Sequence, residues 1–337
     1  MGVPTSRVDT QRVTRGDIGS IYGGTVIDRS VNIEEAMALA GINWEVGTKN
    51  MCLADKQRTP MPGYFGTYRK TDDPKVNIPL GVVRSRYVPM QNWEAFKVWQ
   101  PFLSDQACIT SAGALHGGRY TWICLNLGEW EVLPGDVVER HLLIINSHDG
   151  SSQIIAQILP NRTACQNILN AHTGATGGSD PFKIRHTGTA MLRLEEARMA
   201  FDVAQSGFAE VKETFALMAK TQITEDQTWA LIYKGLAVPP KKLKEFFSGK
   251  HKGKTPQWVG QAAEIFKVIE TGAGSDIKGV RGSVWGALQG FTGWYDWGRK
   301  VRGSKENPDN AIESKIMRHD ARKKVIAYQA CRDFCQN

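Results

Sequence analysis

The sequence predicts an α+β protein: a β-hairpin-rich mixed or antiparallel sheet with packed helices, followed by a mostly helical C-terminal half. Three observations carry this. Residues 137–172 read as a strand, a turn, a second strand and the start of a helix, with Asp149-Gly150 between the apolar runs 142–145 and 154–159. Asp-Gly favours a type I′ turn, whose two central residues both need φ > 0. Leu142 and Ile144 point one way and Leu143 and Ile145 the other, so this strand should be covered on both faces, in the middle of the main sheet. A further hairpin spans 107–127 and turns at Gly117-Gly118, with Thr121, Ile123 and Leu125 opposite Tyr120, Trp122 and Cys124. Beyond residue 188 the apolar period becomes helical and nothing reads as a strand.

In chain order, residues 1–30 are polar and aperiodic and form a loosely held arm, 31–188 a β-rich α+β domain, and 189–337 a helical, basic region. Asn32 with Glu35 makes a capping box for a short helix striped by Ile33, Ala36, Met37 and Ala40 and ended by Gly41. Strands are expected at 42–46, 64–69 and 80–88, the last broken by Pro89. Asn92 then caps a helix carrying Ala95, Phe96, Trp99 and Phe102, and Pro134-Gly135-Asp136 turns into the central hairpin. A Gly/Thr-rich loop occupies 173–188, and a long helix runs from 189 to 220 through Leu192, Leu194, Ala197, Phe201, Ala204, Phe208, Val211, Phe215 and Met218. Thr224 to Gln227 is a second capping box, opening a helix that stops at Gly235. Pro239-Pro240 and residues 241–254 form a basic connector, and Thr255-Pro256 supplies an N-cap and an N1 proline for the next helix. An aromatic helix over 283–301 and a long terminal helix over 308–334 complete the chain.

The formal charge of +8 is uneven. Residues 1–160 hold 15 Lys/Arg and 16 Asp/Glu, 161–240 hold 8 of each, and 241–337 hold 19 and 10. A basic excess confined to one end points to a polyanion partner, most often nucleic acid. No run of 18 uncharged apolar residues exists and no apolar segment follows Met1, so neither a membrane span nor a signal peptide is expected. The six cysteines show no C-x-x-C spacing and read as buried free thiols of a cytoplasmic protein.

Phosphate contact needs cations, and single-stranded bases need aromatic faces. Trp294 and Trp297, beside Arg281, Arg299, Lys300 and Arg302, supply both, although two tryptophans at i, i+3 also suit a helix core. Lys183 and Arg185 in the loop, with Arg162 at the end of the central hairpin, form the other candidate cluster. An enzyme site would draw on His141, His148, Asp149 or His186, but the turn explains Asp149 and the histidines do not converge by spacing. His172 and His186 flank the Gly-rich loop without a specific pattern. There is no GxxxxGK[ST], strand-linked GxGxxG, HExxH or GxSxG, which weighs against NTP hydrolysis and familiar hydrolase chemistry.

Asn146-Ser-His-Asp-Gly-Ser151 followed by Pro160-Asn-Arg162-x-x-Cys165-x-Asn167-x-Leu169 resembles the DUF932 family, also called phage/plasmid-like proteins. Matching elements are Trp44-x-Val46, Leu80-Gly81-Val82-Val83, Tyr87-x-Pro89-x-Gln91-Asn92, Gly118-Arg119, Ile184 to Gly188, and Ser283-x-Trp285-Gly286-Ala287-Leu288, over roughly residues 30–330. Gln289-Gly290 departs from the pattern, where Asn-Ala is expected. The resemblance implies a gene of phages, plasmids or bacterial genomes and a protein of the bacterial cytoplasm, and it brings no catalytic residues. A hairpin sheet packed with helices beside a basic helical half looks, by architecture alone, like the single-strand annealing recombinases of phages.

The reading is a DNA-binding protein without metal or cofactor that holds single-stranded DNA, with strand annealing in recombination as its extension and self-association into a homo-oligomer. An enzyme acting on nucleotides or nucleic acid and a module that binds a host protein are the alternatives.

Overall fold

The computed structural model describes residues 24–336 apart from 72, 74–75, 104–106, 165–166 and 169–181, and for 197–208 the backbone alone. The expectations placed on residues 1–23, on the loop 173–181 with His172, on Cys165 and on the side chains of Ala197, Phe201, Ala204 and Phe208 lie outside the described residues.

A seven-stranded antiparallel sheet organises the chain, in the order β1-β5-β6-β7-β8-β10, with β9 also on the outer edge of β8. Its members are β1 (Thr25–Val26), β5 (Cys108–Leu115), β6 (Tyr120–Leu133), β7 (Asp136–Ser147), β8 (Ile154–Arg162), β9 (Asn167–Ile168) and β10 (Phe182–Ile184). A smaller sheet, β2-β3-β4, comprises Val46–Cys52, Pro60–Lys70 and Asn77–Arg84. The helices are α1 (Ile33–Leu39), α2 (Asn92–Lys97), α3 (Ala190–Lys220), α4 (Glu225–Gly235), α5 (Pro240–Phe247), α6 (Gln257–Thr271), α7 (Val284–Gly293), α8 (Asp309–Ile316) and α9 (His319–Gln336). The architecture is α+β, strands first and helices after. None of the described helices is long and apolar enough to cross a membrane.

Alternation on β6 and β7 divides the core as the sequence requires. Ile123, Leu125, Leu142 and Ile144 join the larger cluster, which also takes Ile33 of α1, Phe96 of α2, Phe215 of α3 and Trp285 of α7. Tyr120, Trp122, Cys124, Leu143 and Ile145 form the second, closed by Ile316 of α8 and the partly buried Trp297. Both faces of β7 are therefore covered, which explains its unbroken apolar run.

Several local expectations change. The central hairpin does not turn on two residues: six separate Ser147 from Ile154, and of Asp149 and Gly150 only Gly150 has positive φ, +74°. Asp149 instead ties the loop by its side chain, Oδ1 accepting from Ser151 N at 2.9 Å and from Ser147 Oγ at 3.0 Å. The two-residue turn is the earlier one, Pro134-Gly135 between paired Leu133 and Asp136. Asn92 caps nothing. Gln91 and Glu94 form the box of α2, while the Asn92 side chain is turned into the core. The terminal helix is two helices, α8 and α9, and the aromatic one becomes a π-turn over Trp294–Gly298. The arm's last residues add β1 to the sheet edge.

Candidate nucleic-acid interface

The residues expected to contact nucleic acid divide by burial. Arg162 must be corrected outright. It is fully buried, its Nε and Nη2 donate to Asp136 Oδ1 and Oδ2 at 2.6 and 2.8 Å, and Nη2 also donates to Gly274 O at 3.0 Å. Trp285 Nε1 donates to the same Asp136 carboxylate at 2.8 Å. This node joins the start of β7, the end of β8, α7 and the turn before it, and no phosphate reaches it. Trp294 is buried too, with Nε1 on Glu264 Oε2 at 2.7 Å. Trp297 lies under the Lys315 ammonium, 3.9 Å from the ring centroid. Arg299 is held by Asp320 at 2.6 Å, in a cluster that also contains the fully buried Lys324–Asp296 pair at 2.7 Å. These side chains fasten the π-turn to α8 and α9, and burial depresses the Lys324 ammonium below its ordinary range. The exposed candidates are Lys183, Arg185, Arg281, Lys300 and Arg302.

The alternative enzyme residues also separate. His141 sits inside the sheet beside Glu139 at 3.0 Å, whereas His148 and His186 come together between the two sheets. His148 Nε2 is 2.8 Å from Asn92 Oδ1, Trp44 meets its ring edge-on at 5.4 Å, and Tyr87 stacks on His186 at 4.9 Å. Burial, reinforced by the neighbouring His186, pushes His148 down to about 3, and burial pushes His186 down to about 4. Among the described residues no group of three His, Cys, Asp or Glu could hold a metal ion. The pair is a neutral joint sealed by rings. Its folded values lie below the ordinary 6.5, so between them and 6.5 the unfolded chain binds protons that the folded chain does not. The pair's contribution to stability is complete above about pH 6.5 and falls as pH drops toward 4, by about 1.4 kcal/mol per pH unit for each imidazole. Thermal melts from pH 7 to pH 4.5 should show that slope, and a His148→Asn/His186→Gln variant should flatten it. Parallel profiles would remove the imidazoles from this role.

Sequence reasoning missed the surface that best combines cations with rings. The basic connector is in part a helix: Pro240 stands at its first turn and α5 ends at Phe247, with Ser248 as its C-cap before Gly249 at φ +71°. It exposes Lys241, Lys242 and Lys244, and the loop after it exposes Lys250, Lys252 and Lys254. Residues 241–254 carry these six lysines against one acid, Glu245. The first turn of α5 has no acidic residue, so Lys241 and Lys242 stand against the helix dipole, whereas Lys244 lies in the last turn, where the dipole favours it.

Beneath them runs a partly exposed aromatic cluster from three helices. Trp229 and Phe266 stack face to face, 4.5 Å apart and 6° from parallel. Tyr233 meets Trp258 at 5.5 Å and Phe247 at 5.8 Å, and Phe246 meets Trp258 at 5.2 Å. The cluster glues α5 to α4 and α6, yet Phe247 keeps 64% of its surface exposed. One legible signal pointed here, namely two phenylalanines inside a lysine run, which a solvated connector does not need.

No curated protein and no solved structure matches the chain. A family model described as a domain of unknown function, DUF932, matches residues 79–317, from within β4 to just past α8. Trp44-x-Val46 falls outside that span, whereas Asn146 to Ser151, the helix-opening Ser283 to Leu288 and the lysine–aromatic surface fall inside it. With more than half of its length matched, the chain belongs to the DUF932 family.

Proposed function

We propose that this protein binds single-stranded nucleic acid, DNA in the first instance, through the lysine–aromatic surface of α4, α5 and α6. One observation carries the reading: six exposed lysines lie on and beside α5, two of them in a first turn whose dipole they oppose, next to rings that remain partly open. Lysines neutralise phosphates irrespective of sequence, and an exposed ring offers a stacking face to any base. The exposed Lys183, Arg185, Arg281, Lys300 and Arg302 are further contacts of the same kind. Pairing of complementary strands in phage or plasmid recombination, with self-association along the strand, extends the proposal. Nothing in this mechanism requires a metal or a cofactor.

Fluorescence anisotropy of a labelled single-stranded oligonucleotide tests it. A micromolar or tighter complex at low salt is expected, with the logarithm of the binding constant falling linearly with the logarithm of salt by about 0.7 per phosphate contacted. A single strand should compete better than its duplex, because paired bases hide the faces that stack. No complex at micromolar protein and low salt would end the proposal.

A further inference from the structure

Among the described residues, the small sheet has one face that packs and one that does not. Its inner face rests on the central hairpin's loop. A Cβ on Gly81 would lie 2.5 Å from Asp149 Cα, and one on Gly150 would lie 2.9 Å from Val83 Cγ1. Thr67 and Val83 are buried there. On the other face, alternation along β3 puts Tyr64, Gly66 and Tyr68, and the pairing adds Gly47 and Lys49 from β2 and Val82 and Arg84 from β4. No helix covers this face in the described residues, and Val82 is 52% exposed on it.

What stands on this face is ordered. The Arg84 guanidinium lies 4.0 Å from the Tyr64 ring centroid, and the Lys49 ammonium 4.8 Å from that of Tyr68. Tyr68 lies down over Gly47, where a Cβ would sit 2.5 Å from its ring. Gly66 leaves the floor between the two tyrosines bare, since its Cβ would meet only Met51 Cγ at 3.9 Å. Glycine weakens a central strand and marks a bulge, a bend or a site where a ligand or another backbone approaches closely, and bulges do flank Gly66 in the pairing with β2 and β4. Charge agrees with an anionic ligand. Residues 45–88 hold eight Lys/Arg and four Asp/Glu, whereas 1–160 as a whole balance to −1.

We propose that the outer face of the β2-β3-β4 sheet is a second platform for single-stranded nucleic acid, with bases stacking on Tyr64 and Tyr68 and phosphates held by Lys49 and Arg84. The ligand class is the one proposed for α4–α6, but the surface is separate and does not depend on it. The two tyrosines stand roughly 13 Å apart along the strand, from four residues of extended chain. A planar Arg on a Tyr ring continues the stacking surface. A protein that carries both surfaces engages two segments of strand at once, as bringing complementary strands together requires.

Photocrosslinking distinguishes the two surfaces. A single-stranded oligonucleotide containing 5-bromodeoxyuridine is irradiated with the full-length protein, and crosslinked peptides are mapped by mass spectrometry. Crosslinks at Tyr64 or Tyr68 are expected. In a protein with Lys241, Lys242 and Lys244 changed to glutamate, Tyr64→Leu with Tyr68→Leu should lower the residual affinity by about tenfold or more. Leucine keeps the apolar bulk, and a thermal melt reports whether the sheet survives. If the variant unfolds, the crosslinks in the parent protein still decide. Crosslinks confined to residues 229–266 would overturn this proposal and leave the helical surface standing. No crosslink anywhere would overturn both. Capture of a protein partner that competes with no oligonucleotide would assign the face to protein docking instead.

Discussion

Changing Lys241, Lys242 and Lys244 together to glutamate is expected to weaken single-stranded DNA binding by roughly two orders of magnitude at physiological salt. Three phosphate contacts are lost and three repulsive charges take their place. The salt dependence should shallow by about 2 in log–log slope, from about 0.7 for each contact on a single strand. Stability should not fall. Lys241→Glu and Lys242→Glu stand in the first turn of α5, where the helix dipole favours negative charge, and Lys244→Glu in the last turn, where it disfavours it, each by a few tenths of a kcal/mol, so the net change is small. The expected signature is therefore lost affinity with an unchanged or slightly raised melting temperature. A lysine-to-glutamine series should lie between the two. Loss of binding accompanied by unfolding would mean that α5 serves to seal the aromatic cluster, and unchanged binding would move the interface elsewhere.

Arg162→Ala should cost about 3–5 kcal/mol, because it leaves the Asp136 carboxylate buried with the Trp285 N–H as its remaining side-chain donor. The carbonyls of Ala273 and Gly274, which the guanidinium also reaches at 3.4 and 3.0 Å, lose their donor as well. Urea unfolding should show the loss as a lower midpoint. Replacing both partners with apolar residues, as in Arg162→Met with Asp136→Leu, should recover much of it, since a removed pair leaves no unmatched charge. At a temperature where the single variant stays folded, its affinity for DNA should equal the parent's. A selective loss of affinity at full stability would restore Arg162 to the interface.

The two outcomes concern the same residue types read in opposite ways. Arg162 looked like a phosphate ligand because it ends an apolar strand and begins a polar stretch. It is a structural cation because Asp136, 26 positions earlier, lies beside it across the β7–β8 pairing. Nothing local in the sequence marks that partnership. Trp294 likewise fitted either role until Glu264, on α6, was placed against its N–H. Conversely, Lys241 to Lys254 read as a basic connector. Only the packing of Phe246 and Phe247 against Tyr233 and Trp258 turns it into a surface with both charge and rings.

Periodicity and turn chemistry were enough for part of the elements, whereas the strand expected at 42–46 lies at Val46–Cys52, and β10 and α5 fall in segments that read as a loop and a connector. The alternation of β6 and β7, the stop at Gly235 and the Thr224 capping box are all where short-range physics puts them, since each depends on neighbours a few residues away. The central loop differed because Asp149 could satisfy backbone donors by its side chain, so the chain did not need a second residue at positive φ.

By itself the sequence determined the α+β class with strands first and helices after, the two-sided burial of the central strand, the family and the concentration of positive charge in the last hundred residues. These are sums of local preference and composition, and they need no third dimension. The tertiary structure alone decided which cations are buried in ion pairs and which stay exposed, which rings are core and which remain open, and which face of the small sheet is bare. Those properties depend on partners tens or hundreds of residues away, and the free energy of a charge or a ring follows from what lies against it.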